Sequence, residues 1–473
     1  MDSNSVLNFF KEITRIPRES RHEEAMTAFL QSFAAARNLK CKTDKSGNVV
    51  ITKEASKGKE SVPTIVLQGH QDMVCDKVSG YAHDFTKDPI KYEIENGWMI
   101  AKNTTLGADD GIGVAAALAL LDSKQPMGKL ECLFTTSEEV GMYGAHGMEE
   151  GFITGKVLIN MDSEDEGQLF VGCAGGMDTL IEFSYKTEDF GSGFHTVKLN
   201  ISNAIGGHSG DDINKGRMNT VQQMARFLYS HLDDYQLIML KGGNKPNAIA
   251  RECEAIVSTA DVDAMIDAFN SFAKDVKGEF SISDPDVVFQ ASAFRCTEKP
   301  IADDIKIRLV SSLISCPHGV EAMSQDIPGL VETSTNLAAV RMNESGTIQI
   351  VTSQRSSINS ALDGMAKRVE ACFKLAGAKV EHSSPYPGWK PNMESPLLKF
   401  CVASYKKLFG VQPEVKAIHA GLECGLFLTK FPDLDMISFG PTLRGVHAPG
   451  EKLELASLDK FVALLNEVIL NYK

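Results

Sequence analysis

The chain has 473 residues, 43% hydrophobic and 23% charged, with a formal net charge of −14. That length exceeds one typical domain and the composition is that of a globular protein, so two domains with separate cores are expected. The charge argues against nucleic acid, whose phosphates would be repelled, and leaves small cationic or zwitterionic substrates open.

The opening residues Met1-Asp2-Ser3-Asn4-Ser5 carry no basic leader pattern, and no apolar stretch reaches membrane-spanning length. The ten cysteines form no C-x-x-C pair, and Cys132 and Cys372 lie inside apolar periodic runs, as reduced core thiols do. A cytoplasmic enzyme without a membrane partner is expected. Along the chain, an amphipathic helix starts near Val6. Ser20-Arg21-His22-Glu23 then reads as a capping box ahead of Ala25, Met26, Phe29, Leu30 and Phe33 at helical spacing. Val49-Val50-Ile51 is extended. Thr64 to Leu67 runs into Gln68-Gly69-His70-Gln71-Asp72, and Gly107-Ala108-Asp109-Asp110-Gly111 opens a helix over 111–121. Leu130 to Thr136 runs into Ser137-Glu138-Glu139, and Val157 to Ile159 into Asn160-Met161-Asp162.

Residues 185–195 turn to Gly, Ser, Asp and Lys, a candidate hinge. In the block beyond it, Thr347–Thr352 reads as a strand, and Ile358, Leu362, Met365, Val369 and Phe373 form a helical stripe. Met436 to Phe439 then leads through Gly440-Pro441 to His447, so the block is an insertion. The expected fold is α/β: a discontinuous catalytic domain with a mostly parallel sheet, residues 1–190 and 381–473, and an inserted α+β lid domain, 191–380. The lid is larger than one small α+β layer needs. Two similar halves would account for its size, although no clean sequence repeat supports them.

Short apolar runs bounded by turn residues are buried strands, and open α/β sheets bind ligands beyond the carboxyl ends of their strands. His70, Asp72, Glu138, Glu139, Asp162 and His447 follow such runs, so one site assembled from distant segments is expected. With Asp109 and Asp110 added, the side chains suffice for two adjacent metal ions. His-x-Asp puts both side chains on one side of an extended segment, where Asp72 can take the second imidazole proton of His70. Adjacent acids at a strand end diverge, so one of Glu138 and Glu139 can ligate while the other serves as general base.

Gln68-Gly69-His70-Gln71-Asp72, Gly107 to Gly111, Thr135 to Gly141 and Asn160-Met161-Asp162 together resemble the M20 metallopeptidases. Gly206-Gly207-His208-Ser209-Gly210, His419 to Gly425, and Gly440-Pro441 before Gly445-Val446-His447 narrow the resemblance to the bacterial aminoacyl-histidine dipeptidases of that family. At the last ligand the family often has His-Ser-Pro-Asp-Glu, where this chain has His447-Ala448-Pro449-Gly450-Glu451. The resemblance implies two divalent ions, zinc before cobalt or manganese. Asp109 would bridge them, Glu139 and His447 would complete one, and His70 and Asp162 the other. Glu138 would activate a metal-bridging water, and Asp72 would orient His70. A cis peptide between Asp109 and Asp110 and a homodimer are implied as well.

In the lid, the resemblance implies that His208 stabilises an oxyanion. Asn247 is a candidate donor to a substrate backbone, Arg355 a fork for a terminal carboxylate, and Glu423, in a Gly-flanked loop, a partner for a free amino group. His318, after Cys316-Pro317, is a lesser candidate with a structural turn as its alternative, and His419 is read as supporting the Glu423 loop. The expected activity is hydrolysis of unblocked L-dipeptides, including Xaa-His and β-alanyl-histidine. The alternatives are an N-acyl amino-acid deacylase of the same fold and a non-catalytic binding protein. A nucleotide loop is disfavoured because two acids precede Gly111-Ile112-Gly113, and a serine hydrolase because no G-x-S-x-G occurs.

Overall fold

The computed structural model describes residues 1–343 and 345–473. They form two compact units: Met1–Gly172, Pro391–Ala417 and Leu422–Lys473 make the first, and Cys173–Lys390 with Ile418–Gly421 the second.

In the first unit, strands Ile65–His70, Leu130–Thr135 and Val157–Asn160 are buried along their whole length, as in sheets covered on both faces. They lie in an eight-stranded sheet ordered Lys40–Thr43, Val49–Lys53, Leu130–Thr135, Ile65–His70, Val157–Asn160, Asp435–Ser438, Gln168–Cys173, Glu414–Ile418. The central four are parallel, and the first two join antiparallel at one edge. His70 pairs with Thr135, while Gln68, Asn160 and Ser438 lie abreast. The register therefore brings every polar carboxyl end to the same edge of the sheet.

Two further pieces serve that edge. Helix Ala108–Asp122 is buried from Ala108 to Leu121, but Asp109 and Asp110 have non-helical backbones and a cis peptide joins them. A four-stranded sheet, ordered Leu443–Arg444, Lys452–Glu454, Trp98–Ala101, Tyr92–Glu95, holds His447 in the turn between its first two strands.

The expected capping box does not form. Helix Glu24–Ala36 is capped by Glu23 without a side-chain bond. Ser20 Oγ instead donates to Asp72 Oδ2 at 2.8 Å, and Glu23 Oε1 accepts from Ser137 N and Oγ, both at 2.8 Å. A long-range partner takes Ser20, and Glu23 divides between Ser137 and the local Arg21 N–H at 3.0 Å.

The second unit is a nine-stranded antiparallel sheet with four long helices. Its topology contains one motif twice. The first copy is His195–Ser202, helix Thr220–Ser230, Gln236–Gly243, Cys253–Thr259, helix Val262–Glu279 and Val288–Ala293. The second is Gly175–Ser184, helix Asp303–Ser315, Val331–Asn343, Thr347–Ser356, helix Asn359–Leu375 and Lys379–His382. Both order their strands fourth, first, third, second, and they meet where Gln236–Gly243 pairs with Val331–Asn343. The first copy is inserted after the opening strand of the second. A shared topology needs a matching burial pattern and no shared residues, which is why no repeat is visible in the sequence. Gly175–Ser184 pairs along its length with Thr347–Ser356, so the second unit begins before the texture change at 185–195.

Candidate active site

The parallel register sets the geometry of the cluster. His70, 1% exposed, points Nε2 to Asp109 Oδ1 at 3.0 Å and Asp162 Oδ1 at 3.4 Å. Asp109 turns its other oxygen to His447 Nε2 at 3.0 Å, and His447 Nε2 lies 2.9 Å from Glu139 Oε2. One carboxylate thus divides between two sets, His70 with Asp162 and His447 with Glu139. Donors bound to one tetrahedral ion at roughly 2.0–2.2 Å lie about 3.3–3.6 Å apart; the 3.4 Å His70–Asp162 separation falls in that range, and the 2.9–3.0 Å contacts are slightly tighter.

The electrostatics favour added positive charge. Burial opposes protonation of His70, yet Asp162 and the ring's hydrogen bonds to Asp109 and Asp72 raise its pKa well above the ordinary value. Hydrogen bonds to Asp109 and Glu139 lift His447 to about 11. Burial raises Asp162. Glu139 Oε1 is buried without a hydrogen-bond partner. A divalent cation would meet this excess of carboxylate charge and let both imidazoles bind it neutral. The residues present fit two such ions.

Around them, Asp72 is fully buried. The Nδ1 edge of His70 is 3.1 Å from the Asp72 carbonyl and 3.4 Å from its Oδ1, so the backbone shares the orienting role expected of the carboxylate. Asp72 also accepts from the backbone N–H groups of Glu138 at 3.1 Å and Glu139 at 3.3 Å. Loss of hydration pushes the Glu138 carboxyl up to about 8; His70 opposes this, and Glu423, Glu139 and Asp109 add to it.

Residues 66–471 match peptidase family M20/M25/M40. The chain belongs to that family. It is therefore a peptide-bond hydrolase. It is 37% identical over 467 residues to the cytosol non-specific dipeptidase of Escherichia coli strain K12, covering 98% of this chain and 96% of the relative. The solved aminoacylhistidine dipeptidase of Vibrio alginolyticus is 38% identical, with a TM-score of 0.91 and coverage of 98% of this chain and 96% of that one. Aminopeptidase PepT of Bacillus cereus shares the fold at 16% identity and a TM-score of 0.57, over 99% and 98% of the two chains. Among the described residues of this M20 chain, no helix is long and apolar enough to cross a membrane.

Glu423 differs from its expected setting. It begins helix Glu423–Lys430 instead of sitting in a loop, and it is fully buried. Its Oε2 accepts from Gln68 Nε2 at 2.6 Å and Thr135 Oγ1 at 2.8 Å, while Oε1 is buried without a hydrogen-bond partner.

His208, Asn247 and Arg355 belong to the second unit, where one loop gathers them. Ser209 N donates to the Asn247 carbonyl at 2.9 Å, and Arg355 Nε donates to Ser209 Oγ at 3.4 Å. His208 Nδ1 lies 3.3 Å from Asp211 Oδ2 and accepts from the backbone N–H groups of Gly210 and Asp211. Arg355 is 7% exposed, with Nη1 3.2 Å from the Tyr386 hydroxyl. Among the described residues no carboxylate lies within ion-pair distance of it, and after His208 it helps to hold the Asp211 carboxyl below its usual value. Ser334 Oγ lies 2.7 Å from His419 Nε2, and His318 Nδ1 accepts from Leu337 N at 3.2 Å.

Sequence reasoning missed Arg18, Gln68, Asn160, Tyr386 and the role of Glu451. Gln68 and Asn160 lie two residues before His70 and Asp162, and Asn160 Nδ2 donates to Gln68 Oε1 at 2.6 Å. Their position inside the strand-end motifs was the available signal.

Proposed function

We propose that this chain is a two-metal dipeptidase hydrolysing unblocked L-dipeptides, Xaa-His and β-alanyl-histidine among them. The carrying observation is the division of Asp109 between the His70–Asp162 and His447–Glu139 sets. Those five residues would hold two divalent ions. Imidazole and carboxylate donors suit zinc, with cobalt and manganese as alternatives. The bound ions would acidify water and polarise the scissile carbonyl.

Glu138 takes the proton of the attacking water and delivers it to the leaving amine, a role suited to a carboxylate whose backbone is fixed beside the proposed ligands by Asp72. Asp72 holds Glu138, Glu139 and His70 in one arrangement. The second unit is proposed as the lid. In it His208 donates to the oxyanion, Asn247 to the substrate backbone, and Arg355 grips the terminal carboxylate. The close similarity to proteins named cytosol non-specific dipeptidase and aminoacylhistidine dipeptidase supports this reading.

The test is a zinc-supplemented panel of Ala-His, β-Ala-His, Leu-Gly, a tripeptide and N-acetyl amino acids. Free dipeptides are expected to turn over fastest. Faster turnover of N-acetyl amino acids than of every free dipeptide would replace this reading with the deacylase.

A further inference from the structure

Glu451 and Arg18 lie outside the ligand set, are each 2% exposed, and converge on one loop. The Glu451 carboxylate accepts four consecutive backbone N–H groups. Oε2 takes those of Leu106 at 2.7 Å and Gly107 at 2.9 Å, and Oε1 those of Ala108 at 2.8 Å and Asp109 at 3.4 Å. Successive N–H groups aimed at one point form an anion-binding concavity, and here a side chain of the protein fills it. Arg18 works from the carbonyl side: Nη2 donates to Gly107 O, and Nη1 to Gln71 O at 3.1 Å and Asp72 O at 2.6 Å. Gly107 is the meeting point, with its N–H on Glu451 and its carbonyl on Arg18. Its φ of +68° and the close approach of Arg18 Nη2 to the place a Cβ would take leave no room for a side chain there.

Three remote segments are joined by this arrangement. Glu451 lies four residues after His447 in the same turn, the loop leads directly into Asp109, and Arg18 carries the connection to the His70–Asp72 segment. We propose that Arg18 and Glu451 are positioning residues that clamp the Leu106–Asp109 loop and so set the spacing of the Asp109 carboxylate from His70 on one side and His447 on the other. Neither touches an ion or a substrate. The proposal rests on the assignment of Asp109, His70 and His447 as metal ligands. It also gives the final Glu of the His447-Ala448-Pro449-Gly450-Glu451 segment a purpose: it is the carboxylate that anchors the loop, whatever residues stand between it and the histidine.

The experiment titrates the metal-free full-length chain with Zn²⁺ against a chromophoric chelator, for the unmodified protein and for Glu451→Gln and Arg18→Lys. Melting temperatures of the metal-free and zinc-loaded forms are recorded for each. The unmodified chain is expected to bind two ions. Glu451→Gln puts an amide NH₂ against backbone donors and should weaken at least one ion by tenfold or more. It should also shrink the rise in melting temperature that zinc confers. Arg18→Lys keeps the charge but cannot span Gly107 and Asp72 together, and should shift affinity in the same direction; it serves if Glu451→Gln does not fold. Two ions held by both variants with affinities within threefold of the unmodified chain, alongside a lower melting temperature of the metal-free form, would overturn the clamp and leave the ligand assignment standing. Failure of the unmodified chain to bind zinc would overturn both.

Discussion

The Asp72 oxygen that faces the His70 ring at 3.4 Å also accepts the backbone N–H of Glu138 at 3.1 Å. One buried carboxylate therefore sets a proposed ligand and the proposed general base together, and Ser20 Oγ at 2.8 Å holds its other oxygen. A His-x-Asp pair explains the first contact. The second exists because strands Ile65–His70 and Leu130–Thr135 are adjacent and parallel, so their carboxyl ends turn into the same space.

Asp72→Asn should consequently damage both functions. An amide can accept at one oxygen only, so either the His70 and Glu138 contacts or those of Ser20 and Glu139 are lost. A fall of about 10–100-fold in kcat, with weaker zinc binding, is expected from the usual cost of removing an orienting partner. Steady-state kinetics at saturating zinc and a zinc titration read the two effects, and wild-type values in both would sink the dual role.

Glu138→Gln separates chemistry from binding. The amide cannot take a proton, so kcat should fall by roughly 10²–10⁴-fold while both ions and the KM are kept. Asp109→Ala removes a donor from both sets and should lose metal instead. Elemental analysis alongside kinetics distinguishes the two variants. Near-normal turnover by a metal-loaded Glu138→Gln enzyme would remove Glu138 from the mechanism.

The strand ends were legible because sheet burial forces continuous apolar runs, and the polar residues that interrupt them stand out. The local setting of Glu423 was not legible for a physical reason: flanking glycines suggest a loop, whereas the residue begins a helix and its carboxylate is held in the interior by Gln68 and Thr135. Arg18 and Glu451 leave no pattern, since their partners are backbone groups that any sequence supplies. The capping box failed the same way, with Ser20 and Glu23 committed to Asp72 and Ser137. The doubled topology of the second unit was suggested by size alone, and only strand order displays it.

Acid should destabilise the second unit through His419. This side chain is 6% exposed, and burial, with Arg355 adding, pushes its pKa down to about 4. The folded value lies below the unfolded one of about 6.5. As pH falls between those values, the unfolded chain binds a proton that the folded chain does not, so stability drops by up to about 1.4 kcal/mol per pH unit. Urea unfolding at pH 7 and pH 5 should show a smaller loss for His419→Asn than for the unmodified chain. Equal losses would mean that His419 does not carry this linkage.

Arg355 carries the argument about substrate length. A guanidinium 7% exposed, held by Ser209 and Tyr386 and, among the described residues, without a carboxylate at ion-pair distance, is oriented and open to a bidentate partner. A dipeptide carboxylate would be that partner. Removing one member of such a buried charge pair costs about 2–5 kcal/mol, much of it from the charge left unpaired. Ala-His amide should therefore be hydrolysed far more slowly than Ala-His by the unmodified enzyme. In Arg355→Ala the free dipeptide should lose most of that advantage, because neither substrate then has a partner for its C-terminus. Measuring kcat/KM for both substrates with both enzymes isolates the interaction as a coupling between residue and carboxylate. If the ratio of free to amidated dipeptide is the same in the two enzymes, Arg355 is not the carboxylate receptor.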